Sequence, residues 1–335
     1  MNRVLFIGSF LSENSGSLGP SESLFRTLET ENIKIKCVSR KKRKELRLID
    51  IILNCLFDRS ERIHIDVFSG QAFKIAEIAS LIGILRHKKV FMTFHGGMLP
   101  EFYAKFPNKI RQLYKRAYYA QTPSLYLKSF FHSKNIDLKY LPNFIKLERF
   151  PFCRNQVKIH SLLWVRAFSS IYNPFLAVKT LYEIRKKYPD TTLTMIGPDK
   201  GLLPETKKLI SDLGLDSAVW ILGPVKNDQL FLYYQTHEVF LNTTSYESFG
   251  VALLEAASCG VPIVSTKVGE IPFLYTHGEN IMMVEDFEPL DFADKVIRVF
   301  ESPSIAESLS INARKIAEHF DWDILKAQWV ELLSN

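Results

Sequence analysis

A chain of 335 residues, 47% hydrophobic and 24% charged, is longer than one core usually grows, so two domains of about 150 residues are expected. No apolar run approaches the roughly 18 residues of a membrane-crossing helix, and no leader with a small-residue cleavage site follows Met1, which points to a cytoplasmic protein. The net charge of +7 is divided unevenly: residues 1–150 carry 26 Lys and Arg against 13 Asp and Glu, and the remainder carries 17 against 23. A basic half of this kind suits an anionic partner, with nucleic acid and an anionic membrane surface both as candidates.

In chain order, short β-branched or aromatic runs predict strands at 4–8, 33–38, 63–68, 89–94 and 139–142, with helices at 21–29, 41–56, 71–86 and 108–119 between them. Pro142-Asn143, Pro151 and the polar stretch 154–158 then punctuate the chain. The same rhythm restarts, with strands at 161–167, 192–196, 218–222, 238–241 and 262–265. Helices follow at 174–188, 204–213, 228–236, 249–258 and 290–301, and two more amphipathic helices fill 305–333. Alternating strand and helix is the pattern of βαβ units and parallel sheets, so the expected fold is α/β, with two consecutive doubly wound domains. The four cysteines, Cys37, Cys55, Cys153 and Cys259, are scattered, which gives no disulfide or metal signal.

Chemistry concentrates in the second half. A strand ending near Leu241 leaves through Asn242-Thr243-Thr244-Ser245 into Glu247-Ser248-Phe249-Gly250 and a helix. Ser248 is the expected N-cap, and Gly250 lets a ligand approach the backbone. The first amides of that helix and its dipole make a phosphate site, beside which the Glu247 carboxylate can accept from sugar hydroxyls. Glu255 lies farther into the helix among Leu254, Ala256 and Ala257. A carboxylate there needs a partner, and a ribose diol would supply one. Without further context, two glutamates read first as a solvated loop residue and a surface residue of an amphipathic helix. Phosphate loops of the G-x-x-x-x-G-K-[ST] or G-x-G-x-x-G kind are absent, against ATPase and ordinary dehydrogenase readings, and no H-x-x-x-H or carboxylate cluster suggests a metal.

The run Glu247-Ser248-Phe249-Gly250, Glu255-Ala256, Cys259-Gly260-Val261-Pro262 resembles the E-x7-E signature of the family 4 retaining glycosyltransferases (glycosyl transferases group 1), which have the GT-B fold. The likeness extends to Leu141–Phe150, where that family closes its first domain, to Phe94-His95-Gly96, to Gly16–Gly19 after the first strand, and to Phe320-Asp321-Trp322 before a terminal helix. It implies two Rossmann-like domains, 1–155 and 156–315, facing across a cleft, with residues 316–335 crossing back onto the first. It also implies that Glu255 holds the nucleotide ribose, that Glu247, Ser248, Phe249, Gly250 and Gly19 contact the donor, and that His95 faces the sugar.

Two features depart from the family. Its diphosphate-holding arginine is matched by Arg166, but the lysine expected about six residues later falls in Ile171-Tyr172-Asn173. Tyr172, the helix start at Asn173-Pro174, Lys226 or Lys267 could compensate. Gly269-Glu270 stands where paired glycines are usual. The resemblance therefore implies a retaining hexosyltransferase that needs no metal or cofactor. It would act on a nucleotide diphosphate sugar and a sugar or lipid-linked acceptor in cell-surface polysaccharide or glycolipid assembly. A catalytically silent partner protein and an epimerase of the same fold are the alternatives. The basic run Ser39–Arg47 and the aromatic–basic stretch Phe102–Tyr119 suit a peripheral position on the inner face of an anionic membrane, whereas no nucleic-acid-reading module is recognisable.

Overall fold

Two six-stranded sheets, every pairing parallel, organise the described residues, which in this computed structural model are 4–8, 10, 19–30, 35–154 and 157–334. The chain divides into one unit of Met1–Asn143 with Lys326–Asn335 and another of Phe144–Leu325. Each unit is a Rossmann-like doubly wound domain with its own core.

In the first sheet the order is β2-β1-β3-β4-β5-β6, formed by Ile35–Val38, Val4–Ile7, Arg62–Val67, Lys89–Phe94, Tyr119–Thr122 and Lys139–Tyr140. Every residue of β1 and β3 is buried, because helices cover both faces of a parallel sheet and leave no side of a central strand wet. The covering helices are α1 (Pro20–Thr30), α2 (Lys44–Phe57), α3 (Gln71–Leu85), α4 (Leu99–Lys105), α5 (Pro107–Lys115) and α6 (Leu125–His132). Leu5, Ile63, Met92, Phe94 and Phe131 lie at the centre of this core. The helix expected over 108–119 stops at Lys115. The Tyr118 amide instead donates to the Val90 carbonyl at 2.8 Å, and Tyr119 opens β5.

The second sheet runs β12-β11-β10-β7-β8-β9, with β7 at Lys158–Val165, β8 at Thr192–Ile196, β9 at Val219–Gly223, β10 at His237–Asn242, β11 at Ile263–Thr266 and β12 at Met282–Val284. Its helices are α7 (Pro174–Arg185), α8 (Leu203–Asp212), α9 (Leu230–Thr236), α10 (Val251–Cys259), α11 (Ile271–Leu274), α12 (Pro289–Glu301) and α13 (Pro303–Glu318). The last helix, α14 (Trp322–Ser334), begins in the second unit and ends in the first. Trp164, Phe168, Leu241 and Phe292 anchor this core.

The segment after β6 joins the start of the last helix. Ile145 donates to the Phe320 carbonyl and accepts from the Trp322 amide, both at 2.8 Å, and the Phe144 and Trp322 rings lie 4.6 Å apart. Later in α14, Trp329 Nε1 donates to the Pro142 carbonyl at 3.3 Å, and Arg62 donates to the Leu333 carbonyl at 3.2 Å.

Strand order locates the chemistry. From β1 the chain moves outward to β2 and returns to β3 on the other side, and from β7 it moves through β8 and β9 and returns to β10. Each sheet therefore has a switch point, between β1 and β3 and between β7 and β10. Loops diverge there beyond the carboxyl ends of the strands, leaving a crevice suited to a ligand. The polar residues of interest stand at these two points.

Candidate functional site

At the β7/β10 switch point, Arg166 follows β7 and Asn242 ends β10. The Arg166 guanidinium donates to Asn242 Oδ1 from Nε at 3.1 Å and from Nη2 at 2.9 Å, and Nη2 meets Glu247 Oε2 at 2.8 Å. Asn242 is held in turn by donating to Ser265 Oγ at 2.9 Å, so its carbonyl oxygen faces the arginine. The other Glu247 oxygen accepts from the Ser248 amide at 3.1 Å and the Phe249 amide at 3.4 Å. Burial works against the guanidinium's charge and Glu247 works for it, and the balance holds Arg166 above its ordinary pKa.

The tyrosine in the expected lysine position belongs to this cluster. Tyr172 sets its ring 5.2 Å from the Arg166 guanidinium carbon, a cation–π contact. Its loop is fixed by the Ser245 amide, which donates to the Ile171 carbonyl at 2.7 Å, and by the Thr243 hydroxyl, which reaches the Tyr172 carbonyl at 2.7 Å. Asn173 caps α7 in a left-handed conformation. Lys267 pairs its ammonium with Glu285 at 2.6 Å, and both side chains are exposed. Lys226 is exposed at the start of a short 3-10 turn.

Ser248 is not the N-cap. Gly250 takes that place with φ of 93°, a left-handed value that glycine alone adopts without strain, and its carbonyl accepts from Leu253 and Leu254. Gly269 is required for a different reason. A Cβ there would lie 1.9 Å from the Glu247 carbonyl oxygen, which accepts from the Glu270 amide at 3.0 Å. Glu270, the departure noted in the sequence, thus supports the Glu247 backbone from a buried position.

Glu255 is buried on α10, and the partners that a carboxylate there needs include two from the protein itself. Tyr234 on α9 donates its hydroxyl to one carboxylate oxygen at 3.0 Å, and Asn227 approaches the other at 3.4 Å. Burial pushes the Glu255 carboxyl up to about 7, although both hydrogen bonds and Arg166 oppose the rise.

At the β1/β3 switch point of the first unit, the imidazole of His95 follows β4 and meets Asp66 Oδ1 through Nε2 at 3.2 Å. An ionised carboxylate only accepts, so Nε2 carries a proton directed at Asp66. Phe68 stacks on His95 at 5.2 Å. The Ser21 hydroxyl from α1 donates to the other Asp66 oxygen, and a Cβ on Gly8 would lie 2.6 Å from that oxygen. Burial opposes the Asp66 charge, but His95, His64 and Ser21 together hold its carboxyl below the usual range. His64, stacked on Phe6 at 4.4 Å, is pushed down to about 4 by burial and stays neutral near pH 7. Gly19 immediately precedes α1, and its carbonyl accepts from Ser23. Gly16 lies outside the described residues.

Asn242, Tyr234 and Asp66 were missed from the sequence. For Asn242 and Asp66 the available signal was a lone polar residue near the carboxyl end of an apolar strand, whereas Tyr234 sits on a helix and offered none. Among the described residues no group of three or more His, Cys, Asp or Glu is gathered as a metal site, and no helix is long and apolar enough to cross a membrane.

Residues 156–316 match the model of the family described as glycosyl transferases group 1. A D-inositol 3-phosphate glycosyltransferase of Pseudarthrobacter chlorophenolicus is 28% identical over 164 residues. That match covers 48% of this chain and 39% of the relative, so the chain spans well under half of that protein's length. In overall fold the chain is similar to Anabaena HepE in complex with UDP and glucose, at a TM-score of 0.79 and 17% identity with both chains fully covered. It is also similar to a sucrose-phosphate synthase from Thermosynechococcus elongatus, at a TM-score of 0.78 and 15% identity over 99% of this chain and 98% of the other. Arg166, Asn242, Glu247 and Glu255 all lie inside the span that is similar to the glycosyl transferases group 1 family, and the likeness to the solved structures gives the chain the GT-B fold.

Proposed function

We propose that the protein is a retaining family 4 glycosyltransferase moving a hexosyl unit from a nucleotide diphosphate sugar to an acceptor hydroxyl. The carrying observation is the cluster at the β7/β10 switch point: a guanidinium held by Asn242 and Glu247 beside the amides of the loop leading into α10. Donors already oriented toward developing negative charge stabilise a departing diphosphate without reorganising, which is the principal task when the leaving group is a good one. In this reading Arg166 and the amides near Phe249-Gly250 take the diphosphate, Glu247 the sugar hydroxyls and Glu255 the ribose. Gly19 contributes to the donor site, and His95, from the first unit, is assigned to the transferring sugar. No metal or other cofactor is part of the reading. UDP, the nucleotide in the HepE complex, is the first donor nucleotide to test.

The acceptor is a sugar or a lipid-linked sugar of cell-surface polysaccharide or glycolipid assembly, and the protein works in the cytoplasm at the inner face of the membrane. The support is the basic excess of residues 1–150.

A thermal-shift series with UDP, GDP and ADP tests the nucleotide part. A ligand at 100 times its Kd stabilises by about 2.7 kcal/mol, so one diphosphate should raise the melting temperature clearly, and Glu255→Ala should abolish that rise. No response to any of the three overturns the reading. The anomeric configuration of the product, read by NMR, tests retention. One observation favours a catalytically silent protein: Arg166 is already paired with Glu247 and covered by Tyr172, with no lysine beside it in the sequence. Failure both to bind UDP, GDP or ADP and to hydrolyse a nucleotide sugar slowly would support that alternative.

A further inference from the structure

We infer that the outer face of α2, continued onto α3, is a membrane-insertion surface for an anionic bilayer. This deepens the membrane part of the reading above and is independent of its transferase part. α2 has two apolar faces. Ile51 and Cys55 point into the core, whereas Leu46, Ile49, Leu53, Leu56 and Phe57 are between 37% and 75% exposed. The spacing of these five, at i, i+3, i+7, i+10 and i+11, keeps them within about 100° of helical arc, the template of a face that buries itself. A solvated helix would carry polar side chains there.

The stripe does not end with α2. Lys44 reaches Gln71 at 3.4 Å near the starts of α2 and α3, and Lys88 reaches the Asp58 carbonyl at 2.8 Å just beyond their ends, so the two helices lie side by side in the same direction. α3 adds exposed Leu81, Ile84 and Leu85. Exposed apolar side chains on two neighbouring helices are unusual in a protein that meets only water.

Charge selects the occupant. Arg40, Lys41, Lys42, Arg43 and Lys44 are all exposed and lead directly into the stripe, and exposed Arg59, Arg86 and Lys89 stand near its far end. The acidic groups on and beside the two helices are fewer than the basic ones. They are Glu45 in the first turn, Asp50 beside the stripe, which accepts from Asn54 at 3.1 Å, Glu77 on α3 and exposed Glu61. Asp58, at the end of α2, is buried and paired with Lys36 at 3.1 Å. Basic residues at both ends of an apolar stripe match a bilayer, where cations meet headgroup phosphates and the stripe enters the acyl boundary. They argue against a second copy of this chain, whose residues 1–150 carry the same 26-to-13 excess of positive charge.

The test is co-sedimentation of the full chain with vesicles of phosphatidylcholine alone and of phosphatidylcholine mixed with phosphatidylglycerol. Binding is expected only with the anionic lipid. The variant Lys41→Glu/Lys42→Glu/Arg43→Glu should weaken partitioning by about two orders of magnitude at low salt, each residue contributing on the order of a fivefold factor. Leu46→Ser/Leu53→Ser/Phe57→Ser should also abolish binding with every basic residue retained. Phe57→Trp should show fluorescence quenching by brominated lipid above the background of the native tryptophans. Circular dichroism and the melting temperature confirm that each variant is folded, and the nucleotide shift is read separately, so failure of the transferase reading is distinguishable. Binding that ignores the stripe variant, absence of quenching, or binding to neither vesicle overturns the inference. So does a concentration-dependent dimer that the stripe variant dissociates.

Discussion

Arg166 and Glu247 are 81 positions apart in the chain and share a 2.8 Å ion pair at the point where the second sheet reverses its winding. Asn242 accepts two further bonds from the same guanidinium, so the three form one unit. Arg166→Ala should leave the Glu247 carboxylate nearly buried without its cation and destabilise the fold by about 3 kcal/mol. Arg166→Ala/Glu247→Ala should cost less than the sum of the two single changes. Denaturant titration of the four proteins measures this coupling, and strict additivity would show that the pair is not an energetic unit. Arg166→Lys should restore part of the stability but not transfer, since a point charge cannot fork between Asn242 and Glu247.

Glu255 gives a pH-dependent signature. Its folded carboxyl titrates at about 7, above the ordinary 4.5, because burial disfavours the charge. Folding therefore favours its protonated form. The associated stability is complete below the ordinary value and is lost as pH rises through about 7. Glu255→Gln keeps an acceptor for Tyr234 and does not ionise. It should raise stability over the wild type near pH 8 by up to about 3 kcal/mol, the gap closing toward pH 5. Melting temperatures across that range check the sign. A gap that widens on acidification would mean that the carboxylate is charged and stabilised in the fold.

Asp66 has no assigned contact with a substrate, yet it sets which His95 nitrogen carries the proton. Asp66→Asn can present its amide nitrogen to Nε2, and the opposite tautomer then becomes the favoured one. Transfer should fall by about a hundredfold, as expected when a positioned group is misset, with nucleotide affinity unchanged. Nitrogen-15 chemical shifts of His95 report the tautomer directly. A slow variant with an unchanged tautomer would assign Asp66 a purely structural role.

Gly269→Ala should be disproportionately harmful for one methyl group. The backbone sits at φ of 55°, and the new carbon would collide with the Glu247 carbonyl oxygen. A cost of about 1–3 kcal/mol is expected from the backbone conformation alone, before relief of the collision. Relief must move the Glu247 backbone, so a variant that folds should show a weakened response to the nucleotide sugar in the same thermal-shift assay. Full response with wild-type stability would contradict the close approach.

Much of the layout was legible because long apolar runs and punctuating prolines report directly on parallel strands and their crossover helices. The elements that escaped were short or mixed in character. β5 is Tyr-Ala-Gln-Thr, β12 has three residues, and α4 and α6 have seven and eight. At the site, the glutamates and Arg166 stood out as charged residues in apolar or glycine-rich text. Their partners did not, because Asn242, Tyr234 and Asp66 become meaningful only when β10, α9 and β3 deliver them across 76, 21 and 29 positions to Arg166, Glu255 and His95. The choice between Ser248 and Gly250 as N-cap turned on backbone angles, which residue type alone does not dictate.

The last helix imposes an order on synthesis. Lys326–Asn335 belongs to the first unit, where Trp329 and Leu333 bond to Pro142 and Arg62, but the ribosome adds that segment only after the whole of the second unit. The amino-terminal half therefore waits, unfinished, for several seconds while its partner is translated, with part of its surface open to chaperones. Splitting the gene after residue 155 should yield an aggregation-prone first piece. Supplying the tail as a separate peptide, or relocating it by circular permutation, should rescue its solubility.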